Sequence, residues 1–329
     1  MMELGGAEIA GIKMHAAIDV TMRRNHIHHC TMGIWCDWEA QGTRLSQNLL
    51  HDNQRPPFAS VLKGGMMSQD IFVEVGHGPT LIDNNIMLSD ASLRFATEGV
   101  ALVHNLICGA LTCVGGGTGP RYTPYHMPHR TEVMGFMTVL HGDDRFYNNI
   151  FVQKWPSDDI ITMHDSDDGF DTENRAAGTW MFDEYPTYDE WISQFDFSKP
   201  ADMAKLYGAH EGKLPVWIEG NAYLGGAKPS KKDVNALISA VAREDVRVEL
   251  VQKEDGYYLD TNVYELIEGF KNRMIDSDVL GKAFEPEERF ENPDGTAIRF
   301  DSDYFGTHRG VDVIPGPFAD AKEAVKKLY

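Results

Sequence analysis

Leu45-Ser-Gln-Asn48-Leu-Leu50, Ile82-Asp-Asn-Asn85-Ile-Met87 and Leu102-Val-His-Asn105-Leu-Ile107 carry one phrase: an apolar residue, two variable positions, Asn, then an apolar pair. Looser copies are Met22-Arg-Arg-Asn25-His-Ile27, Phe146-Tyr-Asn-Asn149-Ile-Phe151 and Ile218-Glu-Gly-Asn221-Ala-Tyr223. Successive asparagines lie 23, 37, 20, 44 and 72 residues apart. That spacing reads as a coil of roughly 20 to 23 residues with insertions between some turns, inside the range of solenoid repeats. The insertions are visible as stretches rich in Gly, Pro and polar residues, from Gln54 to Gln69 and from Gly115 to Gly135.

Between the copies the alternation has period two rather than 3.6, so strands build the coils, and helical or leucine-rich repeats are disfavoured. Counting back 14, 12 and 10 residues from Asn48, Asn85 and Asn105 gives Ile34, Cys36 and Trp38, then Ile71, Val73 and Val75, then Ala91, Leu93 and Phe95, an apolar set expected to face inward. Asn at one corner suits a bend near the left-handed region, with side-chain amides placed to stack into a ladder. The predicted fold class is all-β: a right-handed parallel β-helix, a solenoid with loop insertions and a partly helical C-terminal extension. A propeller or sandwich would need tight antiparallel hairpins and, in propellers, a period nearer ~40 residues.

The expected organisation places coils carrying the site in residues 1–155, an acidic insertion with a helical Tyr188–Tyr207 stretch in 156–210 and a further coil in 211–226. A cap fills 227–329, with a helix over Lys231–Arg243 and a hairpin over Val246–Val263. Ser157–Glu190 holds eleven acidic residues and one basic residue, Arg175; lacking a D-x-[DN]-x-[DN]-G loop, it reads as solvated rather than calcium-binding.

Composition narrows the function. The 42% hydrophobic and 24% charged residues are ordinary for a globular chain, and 50 acidic against 30 basic side chains give a net charge of −20. Such a surface repels phosphate backbones and anionic membranes, so neither nucleic acid nor membrane is an expected partner. No stretch matches a membrane span, and the Met1–Gly6 start lacks the basic flank and apolar run of a secretory signal. Cys30, Cys36, Cys108 and Cys113 form no C-x-x-C pair, so reduced thiols and a cytoplasmic setting are expected.

Thirteen and eleven positions before the same asparagines lie residues expected to face outward: Trp35 and Asp37, Phe72 and Glu74, Ser92 and Arg94. Asp37 and Glu74 would then be neighbours on consecutive strands ~4.7–4.9 Å apart. Retaining glycosidases set their paired carboxyls ~5–5.5 Å apart and inverting ones ~6.5–9.5 Å, so this spacing favours retention. Like charges so close push one pKa up, leaving one group protonated as an acid and the other ionised. A solvated sheet face would explain a single pair equally well, but stacked like charges destabilise a sheet unless used. Trp35 and Phe72 would form a platform for an apolar sugar face, and Arg94 would continue the carboxylate column. With a one-residue shift, His15 enters that column with Lys13 beside it, as a partner for a sugar hydroxyl or a plain surface residue. His26, His28 and His29 need not converge, since Ile27 is core in this register, and no metal site is expected.

Three phrases resemble glycoside hydrolase family 120, the β-helical β-xylosidases: Glu8-Ile-Ala-Gly-Ile-Lys-Met-His-Ala-Ala-Ile-Asp19, the Asn25-to-Arg44 segment containing Trp35-Cys-Asp37-Trp38, and Asp70-Ile-Phe-Val-Glu-Val-Gly-His-Gly-Pro79. The resemblance implies Asp37 as nucleophile, Glu74 as acid/base and Glu8 as a contact to the non-reducing-end sugar. It also implies that the chain corresponds to the C-terminal half of longer family members. An open coil edge would invite pairing into a homo-oligomer.

The function expected is therefore a retaining exo-glycosidase acting on xylo-oligosaccharides, with an oligosaccharide as partner and no cofactor. Substrate contacts are expected from Glu8, His15, Trp35, Phe72 and Arg94. Two rivals come from other classes. A β-helical polysaccharide lyase would hold calcium on Asp37 and Glu74 and abstract a proton with Arg94; a non-catalytic carbohydrate-binding β-helix would keep its affinity in Asp37→Ala.

Overall fold

The computed structural model of the protein describes residues 8–54, 68–115, 122–154, 161–163, 172–201, 213–320 and 322–329. Strands Ile12–His15, Met32–Asp37, Gln69–Glu74, Ala91–Ala96 and Ala110–Gly115 lie side by side and parallel in a first sheet. Each is followed by a strand of a second parallel sheet (Thr21–Arg23, Thr43–Ser46, Thr80–Asp83, Val100–Val103, Asp144–Tyr147) and one of a third (His26–His28, Leu49–His51, Ile86–Met87, Leu106–Ile107, Ile150–Val152). Val216–Glu219 and Ala222–Leu224 extend the second and third sheets by one more turn. Inward-facing Ile34, Ile71 and Leu93, with Cys36, Val73 and Phe95, stack through the core beside Leu45, Ile82, Leu102 and Phe146.

The asparagine corner is a continuous ladder. Side-chain Nδ2 of Asn25, Asn48, Asn85, Asn105 and Asn149 each donates to Oδ1 of the next asparagine at 2.9–3.1 Å, ending on Asn221. The same oxygens accept the backbone N–H of the preceding asparagine, so one buried side chain satisfies both amides at each corner. Asn221 Nδ2 finds Asp233 Oδ2 at 3.1 Å, which terminates the row. The left-handed residue is the one before Asn: Arg24, Gln47, Asn84, His104, Asn148 and Gly220 have φ between 54° and 72°.

The expected right-handed parallel β-helix with a partly helical extension is corrected. The first sheet ends on two antiparallel strands, Thr172–Ala176 and Ile161–Met163. An antiparallel hairpin, Thr123–His126 with Val133–Met137, interrupts the fifth turn. Val248–Lys253, Gly256–Thr261 and Val325–Lys327 form a separate antiparallel sheet. The extension is irregular, its helices single turns at Val263–Leu266 and Ser277–Leu280. The arrangement is β-rich and parallel-β-helix-like, with antiparallel additions.

Lys231–Arg243 is not helical. Val234 N–H bonds Ile218 O and Leu237 N–H bonds Asn221 O, so the open sheet edge captures this backbone before it can close on itself. The helix at Tyr188 ends at Ile192, and residues 202–207 of the expected stretch lie outside the described residues. Residues 156–160, 164–171 and 202–210 of the acidic insertion, residues 55–67 and residues 116–121 lie there too. Among the described residues no helix is long and apolar enough to cross a membrane, and the four cysteines are free thiols.

Candidate active site

Strand register decides which side chains meet. Lys13 pairs with Trp35, Trp35 with Phe72 and Phe72 with Arg94, which makes one outer column. His15 pairs with Asp37 and Ala96 with Glu74, and the Cys36–Val73 pairing sets Asp37 beside Glu74 in the next column. Arg94 therefore does not continue the carboxylate column, and the expectation that it does is corrected. The cause is turn length. Trp38–Gly42 and Val75–Pro79 connect the first sheet to the second in the two carboxylate coils, whereas Thr97–Gly99 is two residues shorter, so counting back from Asn105 misplaces the strand by two.

The open aromatic platform is corrected as well. Trp35 and Phe72 lie outside the main core, in a small cluster with Met32, Ala96 and Ala10, but are 4% and 0% exposed. Their rings pack at 5.4 Å between centroids. Lys13 Nζ lies 3.8 Å from the Trp35 ring centroid and the Arg94 guanidinium 5.3 Å from that of Phe72, so a cation closes each end of the column. Neither ring is free to stack on a ligand.

The carboxylates differ in their partners. Asp37 accepts the Trp38 backbone N–H at 2.7 Å on Oδ1, and its Oδ2 pairs with Lys13 Nζ at 2.5 Å. Lys13 also contacts Glu8, an exposed residue at φ 65°, so one ammonium ties Glu8 to Asp37. Glu74 accepts the Trp35 indole N–H at 3.0 Å and shares a hydrogen bond with Asp37. Burial, then the neighbouring Asp37 charge, pushes the Glu74 carboxyl up to about 7, against the opposing pull of Trp35 and Arg94. His15 is exposed, with its ring 5.9 Å from that of Trp38. The structure thus brings together Glu8, Lys13, Asp37 and Glu74 with His15 alongside, and leaves Arg94 one column away.

Sequence reasoning missed two contributions. Lys13 stood out only as a neighbour of His15, although its place two residues before His15 in an alternating strand puts it diagonal to Asp37. Alternation makes Trp35 a surface for sugar, whereas its N–H serves Glu74.

The histidine triplet gains a member from the next coil: His26 Nε2 is 2.7 Å from His51 Nε2, and His28 stacks on His51 at 4.9 Å. Burial and the neighbouring imidazoles hold His26 down at about 4.

Among solved structures the chain is similar to one described as XylC in complex with xylose, at 33% identity and a TM-score of 0.80. The match takes in 98% of this chain and 45% of that one, so the chain spans a little under half the length of its structural relative. No protein-family model matches the chain, and no curated protein does.

Proposed function

We propose that the chain carries the catalytic carboxylates of a retaining exo-glycosidase acting on β-xylosides. The observation that carries this reading is the pairing of Glu74, held protonated up to about pH 7, with an Asp37 that faces an ammonium and a backbone N–H. In this reading Glu74 protonates the glycosidic oxygen as the bond to the leaving group breaks, and Asp37 Oδ attacks the anomeric carbon. Glu74, now ionised, then takes a proton from water as the water's oxygen displaces Asp37, releasing the sugar with retained configuration.

The likeness to a structure solved with xylose supports a carbohydrate substrate and agrees with the resemblance of the Asp37 and Glu74 phrases to glycoside hydrolase family 120. In this reading Glu8, joined to Asp37 through Lys13, would contact the non-reducing-end sugar. The lyase reading is less well supported, because it needs Arg94 at the carboxylates as a base, and Arg94 lies over Phe72.

The test is turnover of an aryl β-xyloside by the chain and its Asp37→Ala and Glu74→Ala variants. Asp37→Ala loses essentially all turnover. Glu74→Ala retains some on a good aryl leaving group, and added azide restores rate by forming the β-xylosyl azide. Rates unchanged in both variants, or an α-configured azide, would overturn the reading.

A further inference from the structure

Three segments distant in sequence meet at one corner of the coil stack. Asp19 follows the first strand, His129 lies at the tip of the Thr123–His126/Val133–Met137 hairpin, and Glu288 belongs to the C-terminal extension. One donor atom of each lies within 4.8 Å of the other two. His129 Nδ1 stands 2.9 Å from Asp19 Oδ1 and 4.0 Å from Glu288 Oε1. Ligands at ~2.0–2.2 Å from a tetrahedral ion are about 3.3–3.6 Å apart, and the observed separations bracket that value.

Glu288 supplies the independent observation. It is 1% exposed; its Oε2 accepts from Gln41 Nε2 at 2.7 Å, while Oε1 has no hydrogen-bond partner. A buried carboxylate oxygen without a donor is costly and calls for a positive neighbour. It opens on the same gap as Asp19, since a Cβ at Gly42 would come within 2.3 Å of Asp19 Oδ1 and 2.8 Å of Glu288 Oε1.

The imidazole is also oriented for ligation. His129 Nδ1 is within hydrogen-bond distance of Asp19 Oδ1 at 2.9 Å and Nε2 lies 3.4 Å from Glu291 Oε1, so an ion taking Nδ1 would replace a proton there while Glu291 holds the Nε2–H.

We infer that Asp19, His129 and Glu288 form a binding site for a divalent transition cation, Zn2+ or Mn2+, with Glu291 orienting the imidazole and solvent completing the coordination. One nitrogen and two carboxylates suit these ions better than Ca2+ or Mg2+, which favour oxygen alone. The ion fastens the hairpin and the extension to the coil. That junction includes Gln41, which exchanges hydrogen bonds with the His126 backbone at 2.9 Å and lies in the turn that follows Asp37.

The test is calorimetric titration of the chelator-stripped full chain with ZnCl2 or MnCl2 alone. One ion binds per chain at micromolar affinity or better and raises the melting temperature. Asp19→Asn and His129→Gln, both on half-buried side chains, weaken binding by about tenfold or more with unchanged far-UV circular dichroism, and Glu291→Gln weakens it by about tenfold. His28→Gln, in the separate histidine cluster, leaves this binding intact. Failure of both ions to bind at millimolar concentration, persistence of binding in Asp19→Asn and His129→Gln, or loss confined to His28→Gln would overturn the site.

Discussion

The indole N–H of Trp35 reaches diagonally across two strands to Glu74 Oε2 at 3.0 Å, so a residue buried against Phe72 sets the proton affinity of a carboxyl in the neighbouring column. The donor favours the carboxylate and draws its pKa down, opposing the burial and the Asp37 charge that raise it to about 7. A hydrogen bond to a charged group contributes about 1.5–3 kcal/mol, and one pKa unit corresponds to about 1.4 kcal/mol. Trp35→Phe should therefore move the alkaline limb of the pH profile of kcat/KM upward by about one unit. An unmoved limb in a folded variant would remove Trp35 from this role.

Glu74 also makes stability depend on pH. Its folded pKa, about 7, exceeds the ordinary glutamate value of 4.5, so the folded state holds the proton more tightly. The resulting stabilisation is fully present below about pH 4.5 and is lost as pH rises through 7. Glu74→Gln should be more stable than the parent at pH 8, by about 1–3 kcal/mol, with the gap closing near pH 4. Urea melts at the two pH values measure it.

Lys13 offers a prediction separate from acid–base chemistry. Its ammonium joins Asp37 Oδ2 to Glu8 while lying over the Trp35 ring. Lys13→Gln keeps most of the stem but removes the charge that orients the nucleophile, and kcat should fall by roughly 10- to 100-fold, or about 1.4–2.7 kcal/mol of barrier. Lys13→Arg should recover part of it. Steady-state kinetics on an aryl β-xyloside, with a change in KM alone as the contrary result, decides the matter.

The ladder predicts where the fold is most sensitive. Asn105 is fully buried, donates to Ile82 O and Asn149 Oδ1, and accepts both the backbone N–H and the side-chain amide of Asn85. Asn105→Ala strands several of these partners without water, and unfolding free energy should drop by about 3–5 kcal/mol. Chemical denaturation checks this.

What could be read from residues alone followed from how local the signal was. The Asn column was legible because each corner repeats the same three-residue context. Asp37 beside Glu74 was legible because their coils have connecting turns of equal length. Arg94 was not, since nothing in the residues around Asn105 reports the shorter Thr97–Gly99 turn. Alternation puts Trp35 and Phe72 on the outer side of the sheet, but it tells only which side a residue faces, not what covers it. The cations of Lys13 and Arg94 at either end of that column became visible only with the register. The extension is not helical because pairing of Val234 and Leu237 to the sheet edge at Ile218 and Asn221 overrides local propensity.

The short Thr97–Gly99 turn shows how such an architecture can adjust its chemistry from a distance. Deleting an even number of residues from a connecting loop slides a whole rung along its neighbours while every side chain keeps its inward or outward aspect. Here the slide carries a guanidinium away from Glu74 and parks a methyl group, that of Ala96, in its place. An odd deletion would instead turn the rung inside out. Loop indels in steps of two are thus a dial for the electrostatic setting of the pair, available to selection without altering any reacting group.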